Sequence, residues 1–340
     1  MELLNGCKLH NGEYRIEKKI GQGGFGITYL ARRYKEVQSA MGNANGYSIV
    51  VIKEFFWSKY CNRDSDRRTV SIPSAEGNEM MTQCKEKLKK EGEILLSLSH
   101  PNIVGILDVF EENNTAYSVM QFIEGEPLRD IIRKKGKISE TTTLKYAKQI
   151  CSALTEIHSK GILHLDIKPG NILIDKNNNV RIIDFGVCAG YSPVEQYGTL
   201  KSFSPPADIY ALGATLYKML AGKMPLEATN RNPFDLEPVT NLNPFVSRKT
   251  EEAIMKALSE KISDRFQTAE EFWQALRKED KIYSLSNCYK TKIDTFQGQS
   301  VSFLIFDPER KSTHPYKKVL PDALIRSFNR LFCNFLAKCR

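Results

Sequence analysis

Hydrophobic and polar positions alternate in the first third of the chain and then take up helical spacing. Runs rich in β-branched and aromatic residues recur between turn formers: Tyr14-Arg15-Ile16, Ile27-Thr28-Tyr29-Leu30 and Ile49-Val50-Val51-Ile52. Such runs predict strands. Gly42-Asn43-Ala44-Asn45-Gly46 has the composition of a hairpin turn between the last two. Residues 58–80 are polar, carry Pro73 and Gly77, and read as a surface insertion. From about Met81 to Leu98 the apolar positions Leu88, Ile94, Leu95 and Leu98 predict a helix, which Pro101 helps to stop. Strand character returns over 103–123, in Ile103–Leu107 and Ala116–Met120. After Gly125 helical stripes dominate, first Leu144, Ala147, Ile150, Leu154 and Ile157, then Ile209, Leu212, Leu216, Met219 and Leu220. Strands first and helices later predict an α+β chain with a small sheet-rich lobe and a larger helical one. The expected boundaries are 1–123, with the insertion around 57–80, then 124–277, then a C-terminal extension over 278–340.

Composition narrows the function classes. The 340 residues hold no run of about 18 uncharged apolar positions, and the N-terminus lacks a basic segment followed by an apolar one. A cytoplasmic location is the expectation. Cysteines at 7, 61, 84, 151, 188, 288, 333 and 339 include no CxxC pair, and the five histidines do not cluster with them. That argues against a zinc site or a disulfide framework. The net charge of +9 is uneven: residues 278–340 carry twelve Lys and Arg against six Asp and Glu. Within them Ser300–Phe306 predicts a strand. Leu324, Ile325, Phe328, Leu331, Phe332, Phe335 and Leu336 predict one face of a helix, with Arg326, Arg330 and Lys338 interrupting or flanking it. A basic amphipathic helix suits docking on protein first and an anionic membrane surface second. No nucleic-acid module is present in the sequence, and no nucleic acid is expected.

Three signals carry chemistry. Gly21-Gln22-Gly23-Gly24-Phe25-Gly26, preceded by Ile20, lies between two predicted strands. Gly21, Gly23, Gly24 and Gly26 leave backbone N–H groups open to phosphate. A dinucleotide fold would start a helix at the last glycine; the β-branched run from Ile27 predicts a strand instead, hence a flap over nucleotide phosphates. Lys53 ends an apolar strand. Such a lysine either reaches water along its stem or takes a partner, and Glu91 on the following helix is available. The third signal is His164-Leu165-Asp166-Ile167-Lys168-Pro169-Gly170-Asn171, followed thirteen residues later by Asp184-Phe185-Gly186. The intervening Ile172–Asp175 and Val180–Ile183 predict a hairpin that gathers Asp166, Asn171 and Asp184 at one rim. Asn171 and Asp184 offer the hard oxygens Mg²⁺ prefers. Asp166 can accept the proton of an attacking hydroxyl, and Lys168 can balance the charge on a transferring phosphoryl group.

The ordered set GQGGFG, VIK, HPNIV, HLDIKPGN, DFG and DIYALG resembles the eukaryotic-type protein kinase family over roughly residues 14–277, in its serine/threonine branch and with wording similar to bacterial members. The resemblance implies a two-lobed fold, ATP and Mg²⁺ in the cleft, and a protein substrate with a serine or threonine acceptor. It places Met120 behind the adenine and makes Gln121-Phe122-Ile123 the hinge, with Gln121 and Ile123 as adenine contacts. It gives Asp208 the task of bracing the catalytic loop and pairs Glu195 with Arg265.

Two departures stand out. Leu165 replaces the arginine that the family uses to receive an activating phosphate, which implies that activity is not switched that way. Only Val187 to Ser192 separate Gly186 from Pro193-Val194-Glu195, and Cys188 stands where the family has a threonine. A small apolar filler is the preferred role for Cys188, and a redox switch the alternative. His164 is expected to be a packed histidine, and His100-Pro101 a turn. An enzyme is the leading expectation, with a nucleotide-binding scaffold as the alternative.

Overall fold

The computed structural model describes residues 2–24, 26–39, 42–184, 203–226, 236–277, 302–307 and 312–317. Residues 1–277 form one compact unit and 278–340 a second. Among the described residues no helix is long and apolar enough to cross a membrane.

The first lobe is a six-stranded antiparallel sheet. In chain order its strands are β1 (Lys8–Leu9), β2 (Tyr14–Gly23), β3 (Gly26–Ser39), β4 (Gly42–Phe55), then β7 (Ile106–Glu112) and β8 (Thr115–Gln121), arranged β1-β2-β3-β4-β8-β7. The expected turn at Gly42–Gly46 is a correction: those residues are strand, and the ladder runs without a break from Gly26↔Phe55 to Ser39↔Gly42. The register anchored at Lys53 carries the pairing through the polar stretch. The β2–β3 ladder slips twice, at Ile16/Lys18 and Lys19/Gly21. Such bulges add twist just before the glycine flap.

The insertion is a second correction. It folds as a hairpin of β5 (Asn62–Arg63) and β6 (Val70–Ser71), and it buries Phe56, Cys61 and Val70. The Val70 N–H donates to the Asn113 carbonyl, and Asn114 Nδ2 donates to that of Val70, tying the hairpin to the β7–β8 turn. Side chains alternate across a strand, so Ile27, Tyr29, Val50, Ile52, Glu54 and Tyr117 share one face while Lys53 points to the other. The first face is covered by Leu3, Leu9, Phe56, Cys61 and Val70. Helix α1 (Ala75–Leu96) follows, starting six residues earlier than its apolar pattern suggests. Ser74 caps it by accepting from the Gly77 N–H at 3.0 Å, and its first turns are too polar to show a stripe.

At the centre of that covered face is an ion pair. Glu54 and Arg63, with side chains 0% and 2% exposed, meet at 2.9 Å (Nη1–Oε1) and 2.5 Å (Nη2–Oε2). The Tyr29 and Tyr117 hydroxyls each donate to the same carboxylate at 2.9 Å. Burial, joined by the Glu54 charge, holds both phenols well above the ordinary tyrosine range. The Leu3 N–H donates to the Tyr29 hydroxyl at 3.0 Å, so the N-terminal segment closes the network.

The second lobe begins with β9 (Gly125–Pro127) and α2 (Leu128–Lys135), followed by α3 (Glu140–Ser159). The predicted stripe of α3, from Leu144 to Ile157, is buried throughout. The hairpin of β10 (Ile172–Asp175) and β11 (Val180–Ile182) pairs with β9 in a three-stranded sheet. Helix α4 (Pro205–Ala221) is buried on almost every side, and α5 (Val239–Leu242), α6 (Arg248–Ala257) and α7 (Ala269–Leu276) complete the lobe. In the second unit the described residues form one antiparallel hairpin, β12 (Ser302–Asp307) with β13 (Ser312–Lys317). The predicted amphipathic helix after Asp322 lies outside the described residues.

The Glu54–Arg63 pair predicts an asymmetric mutational pattern. Arg63→Met alone leaves a buried carboxylate without its cation and should cost about 3–5 kcal/mol. Glu54→Gln combined with Arg63→Met should cost less than Arg63→Met alone. Denaturant unfolding of the two variants beside the unaltered chain measures both.

Candidate active site

Asp208, in the first turn of α4, organises the loop that carries Asp166. It is fully buried, and its carboxylate accepts from the His164 N–H (Oδ2, 2.9 Å) and the Leu165 N–H (Oδ1, 2.7 Å). His158 Nε2 lies 2.8 Å from Oδ2. Leu165 sits at φ +57°, a left-handed conformation that few side chains with a Cβ adopt. The bond from its N–H to Asp208 helps hold it there. His164 is wholly buried, its Nδ1 accepting from the Asp166 N–H at 3.2 Å and its Nε2 lying 3.2 Å from the Ile183 carbonyl. Burial lowers its pKa, so it is a neutral ring that shapes the loop. The histidine is packed, as its sequence context suggests.

Asp166 projects from this loop with Lys168 and Asn171 around it. Lys168 Nζ lies 2.9 Å from Oδ1, and Asn171 Nδ2 donates to Oδ2 at 2.6 Å and to the Asp166 carbonyl at 3.0 Å. Burial pushes the Asp166 carboxyl up, while Lys168 and Asn171 pull it back. Asp184 follows β11 at φ +57°. Its hairpin is strapped by the Asn102–Val104 segment: the Ile182 N–H donates to the Asn102 carbonyl at 2.8 Å, and the Val104 N–H to that of Ile182 at 2.9 Å. Asn102 Nδ2 donates to the Val180 carbonyl, and the Val180 N–H to Gln149 Oε1. The Ile183 N–H donates to the Asn171 carbonyl at 2.9 Å, joining the two arms of the site directly.

From the other lobe, Lys53 reaches Asp184 with Nζ 3.1 Å from Oδ1. That is its partner among the described side chains. Glu91 lies on α1, but its side chain falls outside the described residues, as do the Val187–Ser192 segment, Cys188 and Glu195. Arg265 is buried. Its guanidinium donates to the carbonyls of Ser259, Pro206 and Glu260 and lies 4.9 Å from the Tyr210 ring.

The nucleotide face is lined by backbone. Gly23 pairs with Gly26 at the end of the β2–β3 ladder. A Cβ on Gly23 or Gly24 would meet nothing within 4 Å, so both lie open, whereas one on Gly26 would stand 2.6 Å from the Glu54 carbonyl. Gly21 and the half-exposed Ile20 lead into the flap from β2. Behind it Met120 is buried, and the Gln121 N–H is spent on the Gly105 carbonyl. Ile123 follows with neither its N–H nor its carbonyl in a backbone hydrogen bond among the described residues. The chain then enters β9, where Gly125 passes so close to β10 that a Cβ would sit 2.7 Å from the Ile174 carbonyl.

These residues fit Mg·ATP. Asn171 spends its nitrogen on Asp166, so its Oδ1 is the atom it can offer a metal, beside the Asp184 carboxylate. The open Gly23 and Gly24 leave room for phosphates, and Ile123 offers adenine one donor and one acceptor. Of the residues named from sequence, the structure brings Asp166, Lys168 and Asn171 together, sets Lys53 against Asp184, and places Gly26 beside Lys53. Sequence reasoning missed His158 as a partner of Asp208, the strap by Asn102 and Gln149, and the Glu54–Arg63 network. The His-Pro-Asn wording marked the position of Asn102 without its job.

A kinase-type site on a two-lobed frame defines the class of protein. The protein kinase domain family matches residues 58–282, and the chain belongs to that family. Its relatives include a probable serine/threonine-protein kinase PknB of Lactococcus lactis, 29% identical over 78% of this chain and 41% of the relative. The serine/threonine-protein kinase PrkC of Bacillus subtilis is 29% identical over 77% of this chain and 39% of the relative. The chain therefore spans about two-fifths of the length of these relatives. Among solved structures, a PpkA-294 apo form superposes with a TM-score of 0.66 at 28% identity, covering 81% of this chain and 99% of the other. The kinase domain of Mycobacterium tuberculosis PknI, at TM-score 0.62 and 20% identity over 81% and 97% of the two chains, shares the fold.

Gly26 should be intolerant of a side chain. Gly26→Ala is expected to weaken ATP binding about tenfold or more, because the 2.6 Å clash with strand β4 displaces the flap beside Lys53. Titration with nucleotide, followed by thermal shift, reads this directly.

Proposed function

We propose that this chain is an ATP-dependent serine/threonine protein kinase that acts on protein acceptors in a cytoplasmic setting. One observation carries the reading: the Asp166 carboxylate is held by Lys168 and Asn171 on one arm, while Asp184 and Lys53 meet across the cleft on the other. Mg·ATP, when bound, supplies the transferable γ-phosphoryl group. Asp166 accepts the proton of the incoming hydroxyl through its carboxylate oxygen. Lys168, already beside it, places positive charge where the transferred group becomes most negative. Asn171 and Asp184 hold metal through oxygen, and Lys53 orients phosphate from the sheet side. The glycine flap excludes water from above, and Ile123 fixes adenine by its backbone. Retention of every one of these groups supports phosphoryl transfer over a scaffold that only binds nucleotide. The basic extension is read as a docking element, for a partner protein before an anionic membrane.

The test is transfer of labelled γ-phosphate to serine or threonine of an acceptor protein, with Asp166→Asn alongside. Label should appear with the unaltered chain and fall at least about a thousandfold in the variant. Both should still show a nucleotide-dependent rise in Tm. The rise without any transfer would turn the reading to a nucleotide-binding scaffold. The pH profile adds a second check. Burial raises the Asp166 pKa, so the carboxyl takes up its proton at a higher pH than an ordinary aspartate near 4. Only the ionised form accepts the hydroxyl proton. The acid limb of kcat/KM should therefore lie above pH 4, with activity falling as pH drops through it.

A further inference from the structure

Beside the catalytic loop the exposed charge is mostly positive. Helix α2 shows Arg129, Arg133, Lys134 and Lys135 to solvent against a single acid, Asp130. That carboxylate is shared between Arg129 Nε and Arg133 Nη2, each 3.3 Å from its Oδ1. The acids just before the helix are matched too, Glu126 by Lys134 at 2.5 Å and Glu124 by Lys176 at 3.8 Å. The local balance is positive.

Arg129 is the member of this group that comes up to the chemistry. Gly170, in the catalytic loop, has no side chain. A Cβ built there would find Arg129 Nη1 at 3.9 Å and Lys168 Cε at 4.0 Å. Lys168 Nζ lies in turn 2.9 Å from Asp166 Oδ1. A guanidinium is thus linked by short steps, over a bare stretch of backbone, to the group that must meet the acceptor hydroxyl.

We propose that Arg129 is a specificity residue, selecting acceptor segments with a carboxylate two or three positions from the phosphorylated serine or threonine. This rests on the kinase reading above. An extended acceptor advances roughly 3.3 Å per residue, which brings a side chain at that distance from Asp166 past Gly170 to the guanidinium. The planar fork of arginine matches a carboxylate. The partner it holds now is easily exchanged, because the Arg129 side chain is 68% exposed and its contacts with Asp130 are 3.3–3.4 Å long. Exposed pairs of this kind hold weakly. The absence of a side chain at Gly170 leaves the approach clear.

The full chain is assayed with Mg·ATP and a set of serine peptides differing only at two and three residues on either side of the serine: neutral, aspartate or lysine. The best-placed aspartate peptide should exceed the neutral one in kcat/KM by about fivefold. Arg129→Ala should bring that ratio close to one, Arg129→Lys should keep part of it, and Arg129→Glu should turn the preference towards lysine. Lys135→Ala, an equal charge change at the far end of α2, should leave the ratio as it is. An aspartate preference that survives Arg129→Ala overturns the proposal. So does equal use of neutral and aspartate peptides by the unaltered chain, while leaving the kinase reading intact. Transfer to none of the peptides, with none to the acceptor protein either, overturns the kinase reading and this proposal with it.

Discussion

The catalytic arrangement depends on one buried carboxylate. Asp208 sits in a helix that is otherwise apolar and enclosed, a costly place for a charge unless its oxygens are fully used. They are used on two consecutive N–H groups of the catalytic loop and on His158. This has two consequences. The loop can hold Leu165 in a left-handed conformation immediately before Asp166. The loop is also fixed to the most deeply packed element of the lobe, so its position is that of the core. Packed interiors have little compliance, so a loop anchored to one is held in place by the core itself.

The sheet lobe solves a different problem. Lys53 must present its amine to the cleft from a strand whose neighbouring residue, Glu54, faces the other way. In a sheet with one side open to water, Glu54 would be a surface residue. Here the N-terminal segment and the insertion cover that side, and Arg63, Tyr29 and Tyr117 satisfy the carboxylate that the cover strands there. A hydrogen-bonded ion pair is a weak source of net stability but a demanding one geometrically, since each partner is costly alone. It ties β3, β4, β8 and the insertion to one registration, and Lys53 stands one residue from the tie.

Much of this was legible in the sequence, for a physical reason. Polar residues at fixed spacings between strand-like runs stand out from the apolar pattern, so Asp166, Lys168, Asn171 and Asp184 could be singled out. The α3 stripe did so because a half-buried helix must repeat its apolar positions. The insertion hid because its buried residues are few and irregular: Cys61 and Val70 are nine apart with charges between them. Its key residue, Arg63, is a type that is almost always exposed. The start of α1 hid because a capped helix end needs no apolar residue. The Gly42–Gly46 stretch misled because composition reports what a segment tolerates, whereas pairing with a partner strand decides what it does.

The glycines divide in a way that no spacing rule captures. Gly23 and Gly24 face open space, where a missing side chain makes room for a ligand. Gly26 and Gly125 face backbone, where a missing side chain lets two strands approach. One pair shapes a surface and the other shapes the frame beneath it. Gly170 belongs with the first kind by its surroundings, since what lies near it is the tip of Arg129 and the stem of Lys168 rather than a neighbouring strand. In the proposed reading, bare backbone thus lies on the nucleotide side of the cleft, at Gly23 and Gly24, and on its acceptor side, at Gly170. Among the described residues, Arg129 is the cation beside Gly170, and the proposed transfer chemistry does not use it. Its pair with Asp130 is exposed and easily exchanged, so in the proposal above its sign favours acidic acceptors.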